Sequence, residues 1–174
     1  PVEAGKVGLA LALVKAISAM SLAPMESSLT ELGKAAGKKD KNQIMHTFKR
    51  SLVFGSVIFV LTATMGVLIL EVIREIDMFN NRLPSLLVFS SLLLAEFTYF
   101  MMSMLAKKVR VFLEEPYAKA NVFFAIAVFS NAVFWLYFRS IETWSIMQVF
   151  LYLLVGLPLF YKIYLVSMKK YYQI

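Results

Sequence analysis

Cysteine is absent from the 174-residue sequence, histidine occurs once, and charged residues make up only 17% of the chain. Without cysteine there are no disulfides, thiolate metal sites or thiol nucleophiles. The single histidine, His46, stands in a basic stretch with neither cysteine nor clustered carboxylates beside it, so it completes no metal site and reads as a solvated surface residue. No cofactor is called for. Acidic residues number eleven, and Glu31, Asp40, Glu114 and Glu115 are split between two loops, whereas a membrane enzyme working on lipid-linked sugars or phospholipid heads needs clustered acids for a metal or a general base. The adjacent pair Glu114-Glu115 fits a helix N-terminus ahead of Pro116 better than paired-carboxylate chemistry, since neighbouring residues on a helix do not face each other. Also missing is a basic segment with a small-residue cleavage site before the first apolar run, so no signal peptide is read, and Pro1 is expected to be an internal start within a longer chain.

What the sequence has in abundance is apolar residues, 60% of the total, for a mean hydropathy of +0.71. That is the composition of an all-α membrane protein. Apolar runs of about 20 residues, each long enough to cross roughly 30 Å of hydrocarbon, place five spans near residues 7–29, 51–73, 83–106, 120–138 and 146–166 in a single transmembrane lobe covering residues 1–174. Between the first two, residues 33–50 form a Gly-containing charged loop with a helix restarting before Phe48; Asn80-Asn81 breaks the chain ahead of Pro84, and Pro116 opens the fourth helix.

The 18 basic residues sort by side. Lys6, Arg74, Arg82 and Arg139 fall on one face of the membrane and thirteen fall on the other, a positive-inside bias that puts the N-terminus of this chain outside and its C-terminus in the cytoplasm. Membrane orientation therefore accounts for the net charge of +7. Nucleic acid is not an expected partner, because no aromatic-interleaved pattern accompanies the basic loops. Trp135, Trp144, Tyr171 and Tyr172 read as interfacial belts. Gly55, Thr62 and Gly66 share one face of the second span and mark close helix packing. Met101, Met102 and Met104 read as gap filler. Asn131 in the fourth span suits an interhelical hydrogen bond first and a substrate contact second.

Hydropathy does not explain Lys15, Glu26 and Glu96. Lys15 is about 12 Å inside its span, where an unpaired charge costs at least ~2.5 to 3.5 kcal/mol, so it should face a partner or water. Glu26 lies three helical turns further along the same face, with Ser18, Ala19 and Leu22 between and Pro24 able to kink the helix. Glu96 sits in the middle of the third span, with Tyr99 and Ser103 on its face. Two readings stand side by side: Lys15 and Glu96 pair to hold the bundle, or this stripe lines a cavity whose inner mouth Pro24 and Glu26 shape. A cation in such a cavity suits anionic cargo.

The stretch VGLALALVKAISAMSLAPMESSLTELGKAAGKKDKNQIMHTFKRS, with Val7-Gly8 at its entry, Pro24 near the helix end and Gly37, Lys38 and Asp40 leading to Lys49-Arg50, resembles the eighth span and following loop of polysaccharide flippases. VRVFLEEPYAKANVFFAIAVFSNAVFWLYF, where Arg110 precedes Glu115-Pro116, resembles the segment joining spans ten and eleven of O-antigen transporters in the same superfamily, the multidrug/oligosaccharidyl-lipid/polysaccharide exporters. The resemblance implies that the five spans belong to the C-terminal six-helix lobe of a two-lobed protein of the bacterial inner membrane, with an N-terminal lobe preceding them. It implies alternating-access transport of an oligosaccharide on undecaprenyl pyrophosphate, for polysaccharide biosynthesis, without enzymatic chemistry. Lys15 would then meet phosphate or acidic sugar, with Ser18, Pro24 and Asn131 along the cavity, and Glu96 or Glu26 would take a coupling cation or proton. The alternatives are a cation-coupled multidrug exporter, whose cargo would favour carboxylates over Lys15, a membrane enzyme of lipid-linked sugar metabolism, and a passive assembly subunit.

Overall fold

The computed structural model describes residues 2–75, 83–112, 116–138 and 140–172, and within these it is all helix apart from short turns. Helix α1 runs over Val2–Gly37, α2 over Lys41–Arg74, α3 over Leu86–Arg110, α4 over Ala118–Phe138 and α5 over Ile141–Phe150. A π-helical segment, Leu151–Gly156, carries α5 directly into α6, Leu157–Tyr172. These make five helices long and apolar enough to cross a membrane, the last formed by α5, the π segment and α6 together. The expected breaks at Asn80-Asn81 and at Glu114-Glu115, like Arg82 and Arg139, lie outside the described residues.

The charged loop expected over residues 33–50 is mostly helix. Helix α1 continues to Gly37 and α2 begins at Lys41, leaving a three-residue turn. Gly37 is the last residue of α1, but the left-handed position that closes the helix is taken by Lys39, at φ 55°. The amides of Lys39 and Asp40 then donate to the carbonyls of Ala36 and Ala35, the paired bonds that close a helix C-terminus. Asp40 in turn caps α2, its carboxylate accepting the Gln43 amide at 3.0 Å. His46 is accordingly an exposed residue in the first turns of α2.

Helix α3 is central. It packs on α1, α2, α5, the π segment and α6, and its buried residues divide between two apolar clusters. One, with Met25, Phe59, Phe89, Phe100 and Met104, joins α1, α2 and α3; the other, with Met102, Phe124, Tyr152 and Phe160, joins α3 to α4 and the last rod. Met102 and Met104 are thus buried filler on opposite sides of one helix. The π turn lies just ahead of Pro158, whose ring would press on the carbonyl of Leu154 in a regular helix and which has no amide to bond it.

Close approach depends on glycine at two places. A Cβ on Gly55 would stand 2.5 Å from the Ser21 carbonyl oxygen and 2.9 Å from the Phe100 ring, so α1 and α3 both touch α2 there. On Gly156 it would meet the Phe124 ring at 2.8 Å and the Met102 sulfur at 2.9 Å. Beyond Arg50 the outward surface of α2 is largely apolar and uncovered, with Phe54, Leu61, Met65 and Val72 all more than half exposed, the face such a helix presents to lipid.

Gly55→Ala should lower stability by about 1–3 kcal/mol, because backbone and not a flexible side-chain tip stands in the way. Gly8→Ala, with nothing within 4 Å of its new methyl, should not destabilise. Thermal unfolding of both variants in detergent checks the contrast. At the turn, Lys39→Gly should stabilise by about 0.5–1 kcal/mol by removing the left-handed strain.

Candidate functional site

The charges that hydropathy left unexplained lie between α1 and α3. Lys15 Nζ donates to both oxygens of Glu96, at 3.0 and 2.9 Å, and stands 4.9 Å from the centre of the Tyr99 ring. Eleven residues along both helices, Lys107 pairs with Glu26. Each pair joins residues 81 apart, so α1 and α3 run parallel in a fixed register. Lys15 and Glu26 do share a helical face, but each takes its own partner on α3.

The two carboxylates differ in surroundings. The Glu96 side chain is 8% exposed and that of Lys15 58%, so the ammonium is reachable while its partner is covered. Beside them is a cavity of about 220 Å³, walled by Leu11, Val14 and Lys15 of α1, Leu92, Ala95 and Glu96 of α3, Val128 of α4, Trp144 and Gln148 of α5, and Tyr152 of the π segment. It occupies the seam between the two apolar clusters. A second cavity of about 220 Å³ lies along the same three helices towards the start of α1, between Lys6, Val7, Pro84, Ser85, Val88, Ile141 and Glu142. Val7, Leu11 and Val14 follow one face of α1, and Val88, Leu92 and Ala95 one face of α3, at intervals of three or four residues. The cavities therefore lie in line along the same faces of α1 and α3.

Polar atoms around the inner cavity are incompletely bonded. Asn131 Nδ2 donates to Gln148 Oε1 at 2.7 Å, the interhelical bond expected of it, while Asn131 Oδ1 and the indole nitrogens of Trp135 and Trp144 are buried without a partner. Buried polar atoms left this way favour water or a hydroxyl-bearing ligand. Tyr152 packs edge-on to Tyr99, 6.1 Å between ring centres, and to Phe124 at 4.8 Å.

Of the residues singled out from the sequence, Lys15 and Glu96 meet in this cavity. The others do not line it. Ser18 is buried. Pro24 remains inside α1, where its carbonyl accepts the hydroxyls of Ser27, Ser28 and, at 3.4 Å, Ser51, in a separate cavity against α2. Glu26 is held by Lys107, and Asn131 reaches the cavity only through Gln148. Sequence reasoning missed Gln148 and Tyr152; a lone glutamine in an apolar run was a usable signal for the first, and the second had none. Among the described residues no group of three or more His, Asp or Glu is placed to hold a metal ion.

Lys108 was also missed. Expected in a solvated loop, it is 1% exposed, donates to Tyr164 Oη at 2.8 Å, and stands 4.5 Å from the centre of the Phe48 ring and 3.8 Å from the Met45 sulfur. Aromatic faces and a phenol hold this cation, and among the described residues no carboxylate pairs with it.

Compared with protein-family models, with curated proteins and with solved structures, the chain matches none.

Because desolvating an ammonium is costly, Lys108→Met should leave thermal stability unchanged or raise it, whereas Tyr164→Phe, which leaves the cation without its acceptor, should lower it by about 1–3 kcal/mol. Unfolding curves of the two purified variants against the parent protein decide this.

Proposed function

We propose that this chain is part of the C-terminal lobe of a two-lobed transporter that moves an oligosaccharide on an undecaprenyl pyrophosphate carrier across the bacterial inner membrane by alternating access. The observation that carries the reading is a charge pair whose lysine faces a cavity while its carboxylate is covered. The nature of the cargo rests on the flippase-like stretches around Pro24 and Glu115-Pro116. The side-to-side imbalance of thirteen basic residues against four supports an outside N-terminus and a cytoplasmic C-terminus for this chain.

The pair can work as an exchange. At rest Glu96 neutralises Lys15. A pyrophosphate or acidic sugar entering the cavity competes for the exposed ammonium, and each contact it takes from Glu96 leaves a carboxylate in apolar surroundings. That carboxylate is costly unless it gains a proton or a small cation. Cargo binding and cation uptake are thereby linked through one salt bridge, and no covalent bond is made or broken. Trp144 and Gln148 offer hydrogen bonds to sugar hydroxyls from the opposite wall.

Exchanging the two charges separates this role from a purely structural one. Lys15→Ala and Glu96→Gln should each reduce export of surface polysaccharide by at least about tenfold at equal protein level. The double variant Lys15→Glu/Glu96→Lys should recover thermal stability, since a pair re-forms, yet not export, since the reachable charge is now negative. Normal export by the exchanged protein would show the pair to be a structural clasp only.

A further inference from the structure

The opposite side of α1 carries a different arrangement. Where α1 and α2 approach their connecting turn, a cavity of about 300 Å³ gathers Ser27, Ser28, Glu31, Thr47, Arg50 and Ser51. Ser28 and Ser51 hydroxyls bond each other at 2.8 Å, and Thr47 donates to Glu31 Oε1 at 2.9 Å. Arg50 and Glu31 line this one cavity, yet Arg50 forms no ion pair among the described residues. The pocket thus offers a guanidinium, a carboxylate and several hydroxyls, all at the border between the apolar part of the hairpin and its basic end.

Directly along the same seam is an apolar groove of about 480 Å³. On α1 it follows Leu9, Leu13 and Met20, and the polar pocket continues that stripe through Pro24, Ser27 and Glu31 at helical spacing. On α2, Leu61, Met65 and Ile69 line the groove, and Thr47, Arg50 and Phe54 carry the same face into the pocket. The polar and apolar compartments follow one another along this seam as a wet end and a dry end of one furrow, separated where Gly55 packs on the Ser21 carbonyl. From Pro24 to Leu9 is about 22 Å at 1.5 Å per residue, enough for an acyl chain crossing one leaflet of roughly 15 Å.

We propose that this furrow is a binding site for a phospholipid with a zwitterionic phosphoethanolamine headgroup, distinct from the cavity of Lys15 and Glu96. The charges select the headgroup. The Arg50 guanidinium takes the phosphate oxygens, as basic pockets between membrane helices do. Glu31 would repel an anionic headgroup but accepts hydrogen bonds from a primary ammonium. A choline head brings positive charge without an N–H to donate, so it satisfies the carboxylate less well. The chains lie in the groove over Met20 and Met65, covering side chains that are otherwise each 56% exposed.

The test is native mass spectrometry of the intact purified protein titrated with phosphatidylethanolamine, phosphatidylglycerol and phosphatidylcholine of matched chains. Phosphatidylethanolamine should bind about tenfold more tightly than either, the worth of one charge-assisted hydrogen bond. Arg50→Ala should weaken retention of phosphatidylethanolamine and phosphatidylglycerol alike. Glu31→Gln, an isosteric change on an exposed residue, should abolish the preference by strengthening phosphatidylglycerol binding. Soluble glycerophosphoethanolamine should fail to compete. Equal binding of the three lipids, a preference unchanged in Glu31→Gln, or full competition by the soluble headgroup would each overturn the proposal.

Discussion

Two ion pairs of opposite sense fix α1 against α3, and the rest of the bundle is arranged around that contact. Lysine on α1 meets glutamate on α3 at Lys15 and Glu96; glutamate on α1 meets lysine on α3 at Glu26 and Lys107. The crossed pattern is directional. With the helices antiparallel, the same four residues would oppose Lys15 to Lys107 and Glu26 to Glu96, like against like. The pairs are unequal in weight, however. Glu26 is 56% exposed, and an ion pair in that setting contributes about 0–1 kcal/mol. Glu96 is covered, so a slip of one turn would strand a carboxylate in apolar surroundings, a penalty of several kcal/mol. Register is therefore set by the middle pair, and the outer one reports it.

Once α1 and α3 are aligned, the three regions of interest fall into place along α1. Its side towards α5 faces the two cavities in line along it, the inner one beside Lys15. Its side towards α2 carries Leu13, Met20, Ser27 and Glu31 in the second furrow. Between them Ala10 and Met25 are buried in the core. A 36-residue helix that had to serve water on all sides could not afford such an apolar surface; in lipid it can.

Much of this was legible in the sequence. The apolar runs located all five spans because hydrocarbon thickness dictates their length, and Lys15 and Glu96 were conspicuous because a charge in such a run needs a reason. Two things were not legible. The turn after α1 was hidden because a lysine, not either glycine, takes the left-handed position, a choice set by the Ala35 and Ala36 carbonyls it closes on. The allocation of polar residues to cavities was hidden because Pro24, Ser18 and Glu26 share a stripe with Lys15 whose outlook changes as α1 passes from α5 to α2 and Lys107. Lys108 falls in between. Glu96, Phe100, Met104 and Lys108 recur every four residues, and all four are buried, so periodicity pointed inward where charge counting pointed outward.

That conflict bears on how a cation is kept in this protein. Lys108 and Lys15 lie on one helix pair yet are stabilised differently: among the described residues the first is held by aromatic faces, a phenol and a thioether, the second by a bidentate carboxylate and one ring. The aromatic clasp has no negative charge to surrender, and an anion arriving at Lys108 would have to displace packed rings. On the proposed reading, an anion reaching Lys15 would displace only the Glu96 carboxylate from a side chain that is already largely uncovered. The same charge is thus held by packed rings and a phenol at one end of α3 and by a carboxylate at its middle, beside the inner cavity.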